Sequence, residues 1–316
     1  MCKFAAYQYH QMKRRDFLWK GLGAGILTGS AFAISSINKV YGAVPDEQNW
    51  DLVAVKGGDP ATMFDKAILS LGGMKKYVRP NQSVVVKPNI GWDTTPERGA
   101  NTNPQLVARI VEHCLSAGAK TVYVFDHTIN EWTRTYSNSG IEKAAKDAGA
   151  KIVGGSSESY YHEVSIKNGR ILKKDKVHEL ILESDVFINV PILKSHGGSI
   201  LTVSMKNLMG VNWDRSYWHN NDLHQCIADF ASEIKPTLNV VDAYRVMKRN
   251  GPRGVSVSDV VELKSLIISE DIVAADAAAA KLFGKEPEQI GHIRIASEMG
   301  VGTADLTKLS INRITI

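Results

Sequence analysis

Cysteine is scarce in this chain, with 3 in 316 residues. Cys2 lies near the start, which leaves Cys114 and Cys226 far apart in the body. An all-thiolate cluster takes about four cysteines, so a self-contained iron–sulfur site is excluded. Cys114 and Cys226 both fall in apolar, helix-like patterns and read as core, a single disulfide being the other reading. Long apolar runs are also missing. The stretch Gly21 to Ile34 is diluted by four glycines and falls short of the ~20 apolar residues that cross a bilayer, so no stable membrane span is expected after processing. A charge excess is missing from the body too. Of 38 Lys and Arg and 33 Asp and Glu, six and one lie in residues 1–43, leaving 32 of each sign in residues 44–316. That balance excludes the basic footprint of a nucleic-acid binder.

What remains is an ordinary globular composition, 44% hydrophobic and 22% charged, without repeats or low-complexity linkers. Nearly continuous Val, Ile, Leu and Phe runs predict strands at Leu52–Lys56, Ser83–Pro88, Thr121–Asp126, Lys151–Val153, Val186–Val190, Thr237–Val241 and Leu263–Ser269. Helical patterns lie between them at Ala61–Leu71, Pro104–Ala117, Gly140–Ala148, Asp222–Ile234, Ile272–Phe283 and Pro287–Ala296. Asn103 and Pro104 suit an N-cap and a first helical position, and Gly118 and Gly149 suit helix ends. The alternation predicts an α/β, Rossmann-like fold, a mainly parallel sheet flanked by helices, forming one domain over residues 44–316. Residues 156–182 break the rhythm and predict a small β insertion, with Asn168-Gly169 as a turn signal.

In such sheets ligands bind beyond the carboxyl ends of the strands, so the residues following each strand are the site candidates. Lys87-Pro88-Asn89 closes one strand, Asp126-His127 another and Asp242 a third. The densest segment is Asn189-Val190-Pro191-Ile192-Leu193-Lys194-Ser195-His196, followed by Thr202 and Lys206-Asn207-Leu208-Met209-Gly210. Lysine supplies a point charge for carboxylate or phosphate, and histidine an acid/base group or metal ligand. A lysine ending an apolar strand faces either a ligand or a buried acid. Asp126 and His127, as neighbours on a strand, are expected on opposite faces. His196, His219 and His224 together can supply three metal ligands, although His219 and His224 lack the spacing of a helical pair. Gly251-Pro252-Arg253-Gly254 is either a plain turn or a loop touching ligand. Asp271 suits a helix N-terminus, and Asp276 lies one turn further in. His10, His113, His162, His178 and His292 stand without company and read as surface or satisfied core residues.

Two resemblances follow. Lys13-Arg14-Arg15-Asp16-Phe17-Leu18-Trp19-Lys20 and the weakly apolar stretch after it resemble a twin-arginine (Tat) export signal over residues 1–43, with cleavage favoured after Ala43. That implies the Tat translocase as partner, a periplasmic location and a protein exported folded. The body resembles the DUF362 family through Lys87-Pro88-Asn89, Thr102-Asn103-Pro104, Asn189-x-Pro191-x-Leu193-Lys194-x-His196, Thr202, Lys206-Asn207-Leu208-x-Gly210, Asp229, Asp242, Gly251-Pro252-x-Gly254 and Asp271-x-Val273-Ala274-x-Asp276-Ala277. The resemblance implies an α/β fold with an active or cofactor site but no settled reaction. A fainter similarity, of the Lys-x-His segment and its downstream lysine, is to the N-terminal domain of the lactate racemase family. There lysine and histidine bind a nickel-pincer nucleotide, which implies an anionic or nucleotide ligand with a metal.

The resulting expectation is an exported enzyme with Lys194, His196 and Lys206 as catalytic residues. Lys87, Asn89, Thr202, Asn207, Asp242 and Asp276 would bind a small anionic substrate or a phosphate-containing cofactor, and His196, His219 and His224 a metal. The alternatives are a non-catalytic cofactor or metal carrier and an accessory subunit of a periplasmic redox complex.

Overall fold

The structure, a computed structural model, describes residues 49–316. The export-signal segment therefore lies outside the described residues. The strands are β1 (Leu52–Lys56), β2 (Ser83–Pro88), β3 (Thr121–Asp126), β4 (Lys151–Gly154), β5 (Tyr161–Ser165), β6 (Lys174–His178), β7 (Val186–Val190), β8 (Ile192–His196), β9 (Ile200–Thr202), β10 (Leu238–Met247), β11 (Val260–Ser269) and β12 (Ile311–Thr315). The helices are α1 (Pro60–Ser70), α2 (Pro104–Ser116), α3 (Trp132–Asn138), α4 (Ile141–Asp147), α5 (Glu179–Glu183), α6 (Ser204–Asn207), α7 (Ser216–Asn220), α8 (Leu223–Glu233), α9 (Ile272–Phe283) and α10 (Gly291–Glu298).

Ten strands form one sheet whose main path runs β12-β1-β11-β10-β7-β2-β3-β4. From β10 through β4 all neighbours on this path are parallel, and β11 alone runs antiparallel to the strands on either side of it. Strand residues alternate between two separate apolar cores. Val84, Val86, Val124 and Ile188 face the core shared with α1, α2 and α4, while Val85, Phe125 and Phe187 face the core shared with α8, α9 and α10. Burial on both faces explains the unbroken apolar runs of the sequence. The two-stranded β5–β6 hairpin sits within residues 156–182, as its turn signal requires.

The sheet has its topological switch between β2 and β7. The chain leaves β2 for α2 on one face, and leaves β7 for α8 on the other. Polar residues following these two adjacent parallel strands therefore open into a common crevice. Asn103 caps α2, its Oδ1 accepting from Gln105 N at 2.9 Å, with Pro104 at the first helical position. Cys114 and Cys226 are both buried free thiols.

Three parts of the fold depart from expectation. Residues 192–202 form the β8–β9 hairpin, which pairs Lys194 opposite Thr202 and His196 opposite Ile200. Residues 204–207 then form a short helix that is buried throughout. Neither is legible from periodicity, because segments of three to five residues carry too few repeats. β12 was also unexpected; it lies at the sheet edge, where alternation is weak and burial only partial.

Candidate functional site

A cavity of about 410 Å³ opens at the carboxyl ends of β2 and β3, against the β8–β9 hairpin. Lys87, Lys194, Lys206 and Arg215 all line it, together with Asn89, Asp126, Thr202, His196, Asn207 and His219.

Lys87 ends β2 fully buried. Its Nζ pairs with Asp126 Oδ1 at 2.8 Å and donates to Asn207 Oδ1 at 3.0 Å and to the Pro88 carbonyl at 2.9 Å. Asp126 Oδ2 accepts from Ile90 N at 2.6 Å. Lys87 thus borders the cavity and is held by a buried acid. Burial pulls its pKa down to about 8, against the upward pull of Asp126.

Four carboxamides run through the floor as one donor-to-acceptor chain. Asn189 Nδ2 donates to Asn239 Oδ1 at 3.0 Å, and Asn207 Nδ2 donates to Asn189 Oδ1 at 2.8 Å. Asn207 Oδ1 accepts from Asn89 Nδ2 at 2.9 Å as well as from Lys87. Asn89 Oδ1 accepts from Lys194 Nζ at 3.1 Å. The chain links the ends of β2 and β7, the start of β10 and α6, and it receives two ammonium groups, Lys87 at Asn207 and Lys194 at its end on Asn89. Thr102 ties the same strand ends, accepting from Asn89 N at 2.8 Å and donating to the Val190 carbonyl at 2.7 Å.

Lys194 also donates to the Ala100 carbonyl. Arg215 donates to the carbonyls of Met209, Thr128 and His127. Among the described residues no carboxylate forms an ion pair with Lys194, Lys206 or Arg215; Asp126 is the sole acid of the cluster, and it is held by Lys87. Burial, then the neighbouring positive charges, lowers Lys194 and Lys206 each to about 7. A desolvated cation excess of this kind favours either loss of protons or capture of an anion.

His196 Nδ1 accepts from the backbone N–H of Gly198 at 3.0 Å and of Ser199 at 3.2 Å. In the neutral ring Nε2 therefore carries the proton. Burial, followed by the charges of Lys206 and Lys194, lowers the pKa to about 3, so the ring stays neutral. His196 Nε2–H is thus left as a hydrogen-bond donor at the cavity. Of the other two expected ligands, His219 lines the same cavity and His224 does not. His219 stacks on it with ring centroids 6.3 Å apart. His224 lies outside the cavity, with Nδ1 3.2 Å from His292 Nδ1 and accepting from His292 N at 3.1 Å. Among the described residues no cluster of three or more His, Cys, Asp and Glu side chains fits a metal ion.

Asp242 and Asp276 also depart from expectation, since neither lines the cavity. Asp276, on α9, accepts from the N–H groups of Ser204 and Met205 and so fixes the start of α6, which carries Lys206 and Asn207. Asp242 accepts from Asn103 N and Tyr244 N. Both are buried carboxyls raised by desolvation, to about 7 and about 6, and both act on the site through backbone. Asp229 pins the insertion, accepting from Ile171 N and Leu172 N. Asp271 caps α9.

His127 does reach the cavity beside Asp126, contrary to the strand rule, because β3 ends at Asp126 and the chain turns there. Its ring stacks on Trp213, with centroids 5.3 Å apart. Gly251 and Pro252 line the cavity as well, and Gly251 N donates to Ser195 Oγ at 3.1 Å. His292 is not alone, as its pairing with His224 shows, and His113 lies 2.7 Å from Asp65. Sequence reasoning missed Arg215, which stands in an aromatic, polar segment with nothing to mark it as buried. It also missed Asp126 as the partner of Lys87, whose signal is its own position at the carboxyl end of β3.

Fold and site together define an α/β protein with a cationic cavity at the switch point of a largely parallel sheet. The chain belongs to the DUF362 family, a domain of unknown function, whose profile matches residues 84–281. It is 26% identical over 247 residues to the thylakoid-associated protein sll1697 of Synechocystis sp., spanning 75% of this chain and 74% of that protein. Among solved structures it is similar to the lactate racemase apoprotein from Thermoanaerobacterium thermosaccharolyticum, at 12% identity and a TM-score of 0.46, over 76% of this chain. The chain spans 58% of the length of that structure.

Proposed function

We propose that this protein is an enzyme acting on a small anionic substrate, a carboxylate or phosphate compound, held in the cavity at the β2–β7 switch. One observation carries the reading: Lys87, Lys194, Lys206 and Arg215 surround the cavity with a single acid among them, Asp126. An anion supplies the missing negative charge. Lys194 and Arg215 are the groups for the anion, while His196 Nε2–H offers a neutral donor to a substrate oxygen. Lys206 stands ready as the reacting base or nucleophile. Asn89 and Asn207 orient the lysines, and Thr202 forms the wall opposite Lys194.

The test is calorimetric titration with inorganic phosphate and with lactate in buffers of different ionisation enthalpy. Bound anion raises the pKa of Lys194, which it contacts, from about 7. The complex then holds more protons than the free protein, so binding takes up protons at pH 8. Affinity is fully developed below pH 7 and falls above it, by up to about tenfold per pH unit for the one lysine that must be recharged. Lys194→Ala is expected to weaken binding at least about tenfold. Absence of binding by either anion, or binding untouched by Lys194→Ala, overturns the reading.

We further propose that residues 1–43 are a Tat-type signal and that the protein works in the periplasm. The paired arginines before a weakly apolar stretch support this. Arg14→Lys/Arg15→Lys is expected to leave the protein in the cytoplasm in a fractionation assay, and export of the double variant sinks the assignment.

A further inference from the structure

Lys206 differs from the other cations around the cavity. Lys87 has three oxygen acceptors, Lys194 two and Arg215 three carbonyls. Among the described residues the one partner of Lys206 Nζ is the Met209 thioether at 3.0 Å, a weak acceptor. The side chain is nevertheless buried, at 7% exposure, and it lines the cavity. Its helix cannot drift to relieve this, because Asp276 holds the N–H groups of Ser204 and Met205. A buried amine without an oxygen acceptor, aimed into a cavity and ringed by other cations, is the setting of a nucleophilic lysine.

Resting on the anion-site reading above, we propose that Lys206 captures a small anionic aldehyde or ketone, such as a 2-oxo acid, as a Schiff base. The anionic group lies against Lys194 and Arg215, and the carbonyl carbon faces Lys206. The Nζ lone pair forms the N–C bond while the carbonyl π pair moves to oxygen. The carbinolamine then loses its oxygen as water, taking both amine hydrogens, and the C=N bond closes. One amine and one carbonyl give one imine and one water, with no oxidant or reductant. His196 Nε2–H offers a hydrogen bond to the oxygen as charge develops there. Burial and the charges of Arg215 and Lys87 keep a large share of Lys206 unprotonated near neutrality, which supplies the lone pair.

The experiment incubates the full chain with pyruvate or glyoxylate, reduces with borohydride and maps the adduct by peptide mass. The same protein is titrated with phosphate, lactate and pyruvate. The expected result is a stoichiometric reduced adduct on Lys206 that is absent from Lys206→Arg, with folding checked by circular dichroism. If that variant does not fold, the peptide map of the unmodified sequence decides alone. Binding of pyruvate with no adduct, or an adduct on Lys194 or a surface lysine, overturns the Schiff base and leaves the anion site standing. No binding of any of the three anions overturns the anion reading itself.

Discussion

Gly210→Ala is expected to cost about 3–5 kcal/mol of stability and to abolish anion binding, although it adds a single methyl group. A Cβ at this position would stand 2.0 Å from Asp126 Oδ1, 2.6 Å from Lys87 Nζ and 2.8 Å from Lys87 Cε. Side-chain ends often yield to such contacts, but these two cannot do so cheaply. Asp126 is held through its other oxygen by Ile90 N, and Lys87 by Asn207 and the Pro88 carbonyl. The backbone at Gly210 is fixed as well, since its carbonyl accepts from His127 N at 3.0 Å. The methyl group therefore separates a buried ion pair, and the penalty is that of an uncompensated charge rather than of mere overpacking. Thermal unfolding should show a fall in Tm of roughly 10 °C. A change within about 0.5 kcal/mol, the range of an ordinary surface substitution, would mean that the pair is not held as described.

Lys87→Met is expected to be comparably severe. It keeps the volume of the side chain but leaves Asp126 buried without its cation, for a loss of about 3–5 kcal/mol. Asn207 Oδ1 keeps its bond from Asn89, so the amide chain survives in part. Adding Asp126→Asn should recover most of the loss, because an asparagine can still accept from Ile90 N without carrying a charge. Chemical denaturation of the two single variants and the double variant gives the coupling energy. Additive losses would show that the two side chains do not form a coupled pair.

These two residues also show what the sequence could disclose. The sheet was legible because doubly buried strands read as unbroken apolar runs, and Ser83–Pro88 and Val186–Val190 have the bounds the pattern assigns them. The rule that ligands sit beyond strand ends led to Lys87, Asn89, Lys194 and Asn207. It could not separate a residue that lines a cavity from one that shapes it through backbone, and so Asp276 and Asp242 were placed among the ligand-binding residues. Asp242 lies within β10 and Asp276 within α9, and each carboxylate accepts from two N–H groups. The histidine trio is divided in the structure, with His224 apart from His196 and His219. Lone-pair direction decides ligation, and the Gly198 and Ser199 N–H groups that fix it for His196 leave no mark in composition or spacing. Arg215 was hidden because its polar partners are main-chain carbonyls, which every residue possesses.

The run of carboxamides from Asn239 to Asn89 has a polarity. Each amide presents its oxygen to the nitrogen of the next; the sequence terminates in the Lys194 ammonium at Asn89, and the Lys87 ammonium joins it at Asn207. Reversing one member would set N–H against N–H or against Lys87 and Lys194, so the array has one permitted alignment. Two ammonium groups are thereby held in fixed positions, and they differ: Lys87 has its three N–H bonds taken by Asp126, Asn207 and the Pro88 carbonyl, whereas Lys194 spends two, on Asn89 and the Ala100 carbonyl, and keeps one for the cavity.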